Sequence, residues 1–309
     1  MKKKIMLIVI VFFLVLGVSI IFGSLMTTHK LETNEYEIKY NFKDIKITTD
    51  TANIEFVTSE ESNSLVICDE QKNANHLVKV KDNTLLIEIN DNRKWYEHIG
   101  INFSTPKITI YLPKNEYGKL STKSSTGDIN IPENFKFSSI DILVDTGNIT
   151  NYASVYKNIK IKTSTGNIKT ENIIANMIDF STSTGKVDII DVICSDDIKI
   201  NVSTGNVNIV DVNCKNLLSK GSTGNISLKN VIATEKFSIE RSTGNVKFKD
   251  SDASDIFVKT DTGNVTGNLL TDKIFFIETD TGNIDVPKVI ADEKCEITTD
   301  TGDIKITTS

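Results

Sequence analysis

Apolar and polar residues alternate along most of this 309-residue chain, and the alternation restarts at a regularly spaced four-residue phrase. The phrase reads Ser or Asp, then Thr-Gly, then Asn, Asp or Lys, and it occurs ten times at intervals of 19 or 20 residues. Its glycines are Gly127, Gly147, Gly166, Gly185, Gly205, Gly224, Gly244, Gly263, Gly282 and Gly302. A constant interval of this length is typical of a protein built from stacked structural repeats.

Each repeat is predicted to contain one short strand before its glycine and another after it. Apolar residues occupy every second position before the glycine, as Ile159 and Ile161 do before Gly166, and lysines stand between them. Two positions after each glycine the residue is always Ile or Val, and nine positions after it the residue is usually Ala or Cys. A period of two indicates a strand with one buried face. The Thr-Gly pair supplies the turn between strands, because glycine accepts a positive φ.

Neighbouring repeats must cover one another, because a single coil cannot bury its own apolar face. We therefore predict an all-β fold, a parallel β-solenoid of about ten to eleven coils, with structural turns at the ten glycines. The repeats occupy residues 115–309. Residues 41–114 are expected to form an N-terminal β cap with a degenerate first coil over 44–57, in which Ala52 replaces the glycine.

The N-terminal segment has the composition of a membrane anchor. Residues 5–26 carry no charge and are long enough to cross a bilayer as one transmembrane helix. Lys2, Lys3 and Lys4 precede them, which predicts a cytoplasmic tip at residues 1–4 and an extracellular repeat domain. A linker would follow at 27–40. The alternative is a cleaved signal peptide, although the end of the apolar segment matches an Ala-x-Ala cleavage site poorly.

The charge balance narrows the class of partner. Outside the three N-terminal lysines there are 32 basic and 41 acidic residues, a net charge of −9. This excess of acid argues against nucleic acid, because phosphate binding needs a basic face. It argues equally against simple electrostatic binding to anionic lipid or teichoic acid.

Several segments match a known family pattern. The strands predicted at 45–56, 85–89 and 108–113, together with the recurrent Ser-Thr-Gly-Asn-Ile phrase, resemble the bacterial "putative adhesin" β-strand-repeat family. That family is a domain of unknown function, common on membrane-anchored proteins of Gram-positive bacteria. The resemblance implies a cell-envelope protein and carries no catalytic residues. Some relatives resemble accessory proteins beside envelope-stress regulatory systems.

Candidate catalytic and metal-binding groups are few. Four repeats contain Asp-Thr-Gly, the aspartic-protease tripeptide, but it alternates in phase with Ser-Thr-Gly, which indicates a turn residue. Asp261, Asp280 and Asp300 are expected in consecutive coils and are the only weak candidates for a metal such as Ca²⁺. The three histidines share no motif with a nucleophile, so neither an enzyme nor a cofactor is expected. A carbohydrate-active enzyme remains an alternative function.

Two cysteines and two aromatic patches leave alternatives open. Cys194 and Cys214 are predicted in adjacent coils, either as a disulfide or as small apolar fillers. Phe257 and Phe276 are expected to stack outward on neighbouring coils and to contact a partner. Trp95 and Tyr96 could likewise bind a partner. All four aromatic residues could instead have a packing role.

The sequence favours a non-enzymatic cell-surface solenoid that acts as an adhesin or envelope scaffold. The alternative is an extracytoplasmic accessory or sensor protein of an envelope-stress signalling system. Apart from the membrane itself, the expected partner is an unknown protein or a cell-wall glycan. At the C-terminal end of the sheet, where no cap follows the last repeat, we expect that a partner covers the open edge, that a short distortion blunts it, or that the protein self-associates there.

Overall fold

The computed structural model describes residues 31–93 and 105–309, and every regular element in those residues is a β-strand. The strands are β1 (Leu31–Ile38), β2 (Asp44–Thr48), β3 (Asn53–Ser59), β4 (Ser64–Gln71), β5 (Ala74–Lys81), β6 (Thr84–Asp91), β7 (Lys107–Pro113), β8 (Glu116–Thr126), β9 (Ile129–Ile131), β10 (Lys136–Thr146), β11 (Ile149–Asn151), β12 (Ser154–Val155), β13 (Asn158–Thr165), β14 (Ile168–Ala175), β15 (Met177–Thr184), β16 (Val187–Cys194), β17 (Asp197–Thr204), β18 (Val207–Thr223), β19 (Ile226–Thr243), β20 (Val246–Thr262), β21 (Val265–Leu269), β22 (Ile274–Thr281), β23 (Ile284–Asp285), β24 (Lys294–Thr301) and β25 (Ile304–Thr308). No helix in the described residues is long and apolar enough to cross a membrane. The anchor predicted at 5–26 lies outside those residues.

The repeats form the predicted parallel β-solenoid of about ten turns. Strands that precede the glycines pair with one another, as β13 does with β15 and β15 with β17. Strands that follow the glycines form a second series, in which Ile168, Val187 and Val207 are directly in register. These three side chains are at most 1% exposed. The continuous apolar interior that the sequence predicts is confirmed.

The glycine of each repeat is required by the closeness of the coils as well as by its turn. Gly205 has a φ of 146°, and a Cβ at this position would lie 1.9 Å from the carbonyl oxygen of Gly185. Its own N–H donates to the carbonyl of Thr223 in the next coil, at 2.8 Å. Any side chain at Gly205 would therefore push two coils apart.

A second corner lies six residues after the glycine, at a column that the sequence interpretation did not single out. Five mid-stack coils turn there through a left-handed residue with φ between 51° and 56°. Asn and Asp tolerate this conformation better than other non-glycine residues. The corner returns the chain to the core, where the Ala or Cys that follows in each of these five coils is buried. The left-handed residues are Asn172, Asp191, Asp211, Asn230 and Asp250.

The N-terminal part of the chain folds over the first coil. β2 and β3 pair in parallel with β8 and β9, so residues 44–57 do form a degenerate first coil. β6 and β7 pair with its other side, and β4 and β5 continue the two series antiparallel to β7 and β6. The expectation of a linker at 27–40 is wrong for Leu31–Ile38, because β1 pairs with β4 along its whole length. Its alternate residues Tyr36 and Ile38 pack against the core.

The last three coils do not stack in sequence order. β24 lies between β20 and β22, and β25 lies between β21 and β23. The coil of Gly302 is thus inserted between the coils of Gly263 and Gly282. The sequence predicts consecutive stacking, and this expectation is wrong here. Equivalent positions in the three coils have similar residues, such as Val258, Ile297 and Ile277, so either order preserves the core register.

Candidate functional site

The end of the solenoid opposite the N-terminal cap carries several exposed apolar side chains. We call β22, β23 and the turn between them, residues 274–285, the terminal coil. Its inner side pairs with β24 and β25. Within the described residues no strand pairs with its outer side. Ile274, Phe276 and Ile284 are 40%, 55% and 50% exposed, and Ile290 in the following loop is fully exposed.

Some positions of the apolar core are partly exposed to solvent at the terminal coil. Phe275 and Ile277 occupy the inward positions that are completely buried in interior coils, yet both are only half-buried. They pack on the inserted coil, where Cys295 and Ile297 are fully buried. The apolar interior of the solenoid therefore ends in a partly open face.

The terminal coil also has an open hydrogen-bonding edge. Along the stack the glycine N–H donates to the threonine carbonyl of the next coil, and Gly302 donates to Thr281 at 2.9 Å in this way. By the same pattern the N–H groups of Gly282 and Ile284 point away from the stack. An edge of this kind can pair with an added extended chain.

The rim of the open end is acidic. Residues 274–293 contain five acidic residues and one lysine, a net charge of −4. Asp285 is paired with Lys305 at 3.1 Å, and Glu293 is paired with Lys273. Glu278 and Asp280 remain exposed on the edge strand. The rim is thus suited to a cationic partner.

A buried lysine holds the inserted coil in place. Lys273 precedes β22, is completely buried, and forms ion pairs with Asp252 in β20, at 2.7 Å, and with Glu293 immediately before β24. Its hydrogen bond holds the pKa of the Glu293 carboxyl below the usual range. The three charges come from three successive coils of the stack. They therefore tie the inserted coil to the coils on both of its sides.

The aromatic pair predicted from the sequence is not a pair in the structure. Glu296 of the inserted coil stands between Phe257 and Phe276, in register with both. The prediction that they stack is wrong, because it assumed consecutive coils. Phe257 is half-buried beneath the ammonium of Lys236, 5.9 Å from the ring centre. Phe276 alone belongs to the exposed end, and Trp95 and Tyr96 lie outside the described residues.

The other candidates lie at strand ends or in the core. Asp261, Asp300 and Asp280 are exposed residues near the ends of β20, β24 and β22, in adjacent coils and in that spatial order. Cys194 and Cys214 are buried free thiols, and burial raises their pKa values to about 11 and about 12.

One arginine is buried across several coils, which the sequence did not indicate. Arg241 is 3% exposed and donates from a terminal nitrogen to the carbonyl of Val202 at 2.9 Å. It crosses Gly221, where a Cβ would lie 1.7 Å from the same nitrogen. Burial lowers the pKa of this guanidinium to about 10. The glycine thus makes room for a buried cation that spans coils two apart.

A buried polar network in the N-terminal cap was also missed. Glu70 Oε2 contacts His76 Nδ1 at 2.7 Å, and His76 Nε2 contacts the hydroxyl of Thr49 at 2.8 Å. This order of carboxylate, imidazole and hydroxyl is also that of hydrolase relays. Thr49 is only 5% exposed, however, so a substrate cannot reach its hydroxyl. Thr49 lies 27 residues before His76, and Glu70 and His76 lie on different strands, so no local motif indicated the network.

Comparison with known proteins identifies a family. A family model described as Toastrack DUF4097 matches residues 42–196 and residues 191–309. None of the curated proteins compared with the chain matches it.

Several solved structures are similar in fold. A "putative adhesin" from Bacteroides fragilis is 17% identical, covers 91% of this chain and 98% of its own, and has a TM-score of 0.42. A "putative lipid binding protein" from Parabacteroides distasonis is 17% identical, with 89% and 96% covered and a TM-score of 0.49. A "putative adhesin" from the same organism is 13% identical, with 92% and 99% covered and a TM-score of 0.38. At such values the function must be argued from this chain's own residues.

Proposed function

The chain belongs to the Toastrack DUF4097 family, and on that premise we propose that it is a non-enzymatic rod, tethered to the cell membrane, that binds a partner at its terminal coil. Its role is adhesion or scaffolding at the cell envelope. The exposed apolar side chains of the terminal coil, Ile274, Phe276 and Ile284, beside an open sheet edge are the observation that carries the proposal. Exposed apolar surface at one end of a soluble fold commonly marks an interaction site.

The position of the terminal coil supports a role in reaching outward. The tether would be the uncharged segment 5–26, with its lysines in the cytoplasm. Because the cap follows the tether directly, the terminal coil lies at the far end of the stack. At a spacing of about 4.8 Å per coil, ten coils place it roughly 45–50 Å from the first one.

The chemistry of the rim selects the kind of partner. An extended polypeptide can pair with the open edge by strand addition, and apolar side chains can cover Phe276 and Ile284. Exposed Glu278 and Asp280 favour basic residues in that segment. A second copy would bring the same acidic rim to the contact. We therefore propose a basic, extended protein segment in preference to self-association or a wall glycan.

Site-specific photo-crosslinking in cells that carry the full chain tests this proposal. A photoreactive phenylalanine analogue replaces Phe276 in one strain and Ile174 in a matched control. Ile174 lies on a mid-stack coil and is 57% exposed, and Phe276 is 55% exposed. The two probes are therefore almost equally accessible and differ mainly in their position along the stack. We expect a crosslinked protein at position 276 that is absent at position 174. Equal products at both positions, or none at either, would contradict a binding role for the terminal coil.

The identity of the captured species separates the alternatives. A surface protein or structural envelope protein supports adhesion or scaffolding. A membrane-bound kinase or its regulator supports the accessory role in envelope-stress signalling. If the crosslinked product is a dimer of the chain, the partner is a second copy and not a basic protein segment. If the product contains a wall glycan, the partner is a carbohydrate.

The proposed location, with the chain anchored in the membrane and the repeats outside the cell, can be tested separately. Full-length protein should sediment with membranes, and external protease should remove the repeats from intact spheroplasts. Release of soluble protein that lacks residues 1–26 would indicate a cleaved signal peptide instead.

A further inference from the structure

Three side chains with metal-binding atoms converge inside the N-terminal cap. Cys68 and Glu70 lie two residues apart on β4 and point to the same side, and His76 lies near the start of β5. All three residues are at most 2% exposed. One ligand atom from each lies within 4.8 Å of the other two.

The remaining polar atoms of this cluster are already held in position. The second carboxylate oxygen of Glu70 accepts a hydrogen bond from Asn34 Nδ2 at 2.7 Å. The second ring nitrogen of His76 is in contact with the hydroxyl of Thr49 at 2.8 Å. Ligands of metal sites are commonly oriented in this way by partners on their far side, which fixes the imidazole tautomer and the carboxylate rotamer.

The thiol of Cys68 is the part of the cluster that packing alone explains least. It is completely buried and, within the described residues, makes no hydrogen bond, although it faces a carboxylate and an imidazole. By contrast, the buried thiol of Cys194 contacts a backbone carbonyl at 3.2 Å. Cys68 is therefore an unpartnered, fully buried ligand group directed at two others.

We propose that Cys68 Sγ, Glu70 Oε2 and His76 Nδ1 form a binding site for a divalent transition metal of the zinc class. Thiolate, imidazole and carboxylate are the donor types that Zn²⁺ takes in proteins. A thiolate and a carboxylate together balance the two charges of the ion, so the buried site is neutral. On binding, the Cys68 thiol loses its proton to solvent. The proton on Nδ1 is exchanged through solvent to Nε2, which then donates to Thr49, so the imidazole stays neutral.

A neighbouring cavity gives the ion a route and room for a water ligand. It has a volume of about 120 Å³, and His76, Gln71 and Arg93 are among the residues that line it. Arg93 carries a positive charge that would repel a cation from the cavity. Asp91 at 2.5 Å and Asp50 at 3.4 Å balance this charge and so offset the repulsion.

The site would fix the place where the chain crosses between the two strand series. β4 pairs with β1 and β7, whereas β5 pairs with β6 on the other series. Only Gln71 and Ala74 pair across the turn that joins β4 to β5. A metal held by both strands would tie this crossing together at the end of the solenoid nearest the proposed tether.

Cobalt and zinc binding by the full chain test the inference directly. Metal-free protein is titrated with Co²⁺, and we expect a thiolate-to-cobalt charge-transfer band in the near ultraviolet that saturates at one ion per chain. Zn²⁺ should abolish the band, and dialysed protein should retain one zinc per chain by elemental analysis. Zinc should also raise the unfolding temperature relative to chelator-treated protein.

Two cysteine variants locate the site. Cys68→Ser should lose the charge-transfer band and at least tenfold in zinc affinity, whereas Cys295→Ser, at an equally buried cysteine outside the cluster, should keep both. The titration of the wild-type protein does not depend on the variants, so the inference stays testable if Cys68→Ser fails to fold. In that case His76→Gln serves as the second variant. Folded wild-type protein without the band, or a band that survives in Cys68→Ser, would overturn the proposal.

Discussion

Replacing Asn225 by alanine should weaken the contact between two mid-stack coils by about 1 kcal/mol. The Asn225 side-chain oxygen accepts a hydrogen bond from the backbone N–H of Asn245 at 2.9 Å. The equivalent bond from Asn225 N–H to Asn206 lies on the other side of the coil and survives the substitution. The net contribution of one such bond to the stability of the fold is about 0.5–1.5 kcal/mol. Because Asn225 is exposed, we expect a loss below the upper end of this range.

Lys186 offers the reverse substitution, because it occupies the same column in another coil. An ammonium group has no acceptor, so Lys186 cannot receive the N–H of the following Asn206. Lys186→Asn should supply that acceptor and stabilise the fold by about 0.5–1 kcal/mol. Its partly exposed ion pair with Asp188, at 2.8 Å, subtracts only a few tenths of a kcal/mol when it is lost.

Thermal unfolding of the full chain in detergent measures both changes. For a protein of this size, 1 kcal/mol corresponds to about 2 °C in unfolding temperature. Asn225→Ala should unfold about 2 °C lower and Lys186→Asn about 1–2 °C higher. Lys229→Ala, an exposed change in the coil of Asn225, is the matched control and should stay within about 1 °C.

The outcome also separates structure from binding at this column. Unchanged unfolding temperatures in both variants would show that the carboxamide column does not hold the coils together. Loss of crosslinking at Phe276 in Asn225→Ala, with unchanged stability, would instead assign the column to a partner.

Two further predictions concern the inserted coil. In Lys273→Met, Asp252 keeps its buried position without its cation, and we expect a loss of about 3 kcal/mol in the free energy of unfolding by denaturant titration; a neutral result would show that these charges do not hold the three coils together. In Lys259→Cys/Thr298→Cys the two residues are in register on adjacent strands, so oxidation should give an intrachain disulfide that shifts mobility on a non-reducing gel. Lys259→Cys/Glu278→Cys, two coils apart at roughly 10 Å, should not form one; the reverse pattern would mean that the coils stack consecutively.

The features of this protein that repeat at short range could be predicted from the sequence. The spacing of Gly166 and Gly185 gives the length of a coil, and the alternation around Ile159 and Ile161 gives the buried face of its strands. Both signals arise within about 20 residues, because each coil forms the same contacts with its neighbours. The predicted register of Ile168 on Val187 follows from that equivalence and is confirmed.

The order of the last coils could not be predicted, for the same reason. When every coil presents Ile or Val at equivalent positions, exchanging two coils leaves the core contacts almost unchanged, and the pattern cannot distinguish the arrangements. Interactions that occur at only one place in the stack make one coil different from the others. Lys273 with Asp252 and Glu293 joins residues up to 41 positions apart, and Glu70, His76 and Thr49 meet only because β4 and β5 cross between strand series. Such unique contacts depend on where the chain returns in space, which a pattern shared by every coil does not indicate.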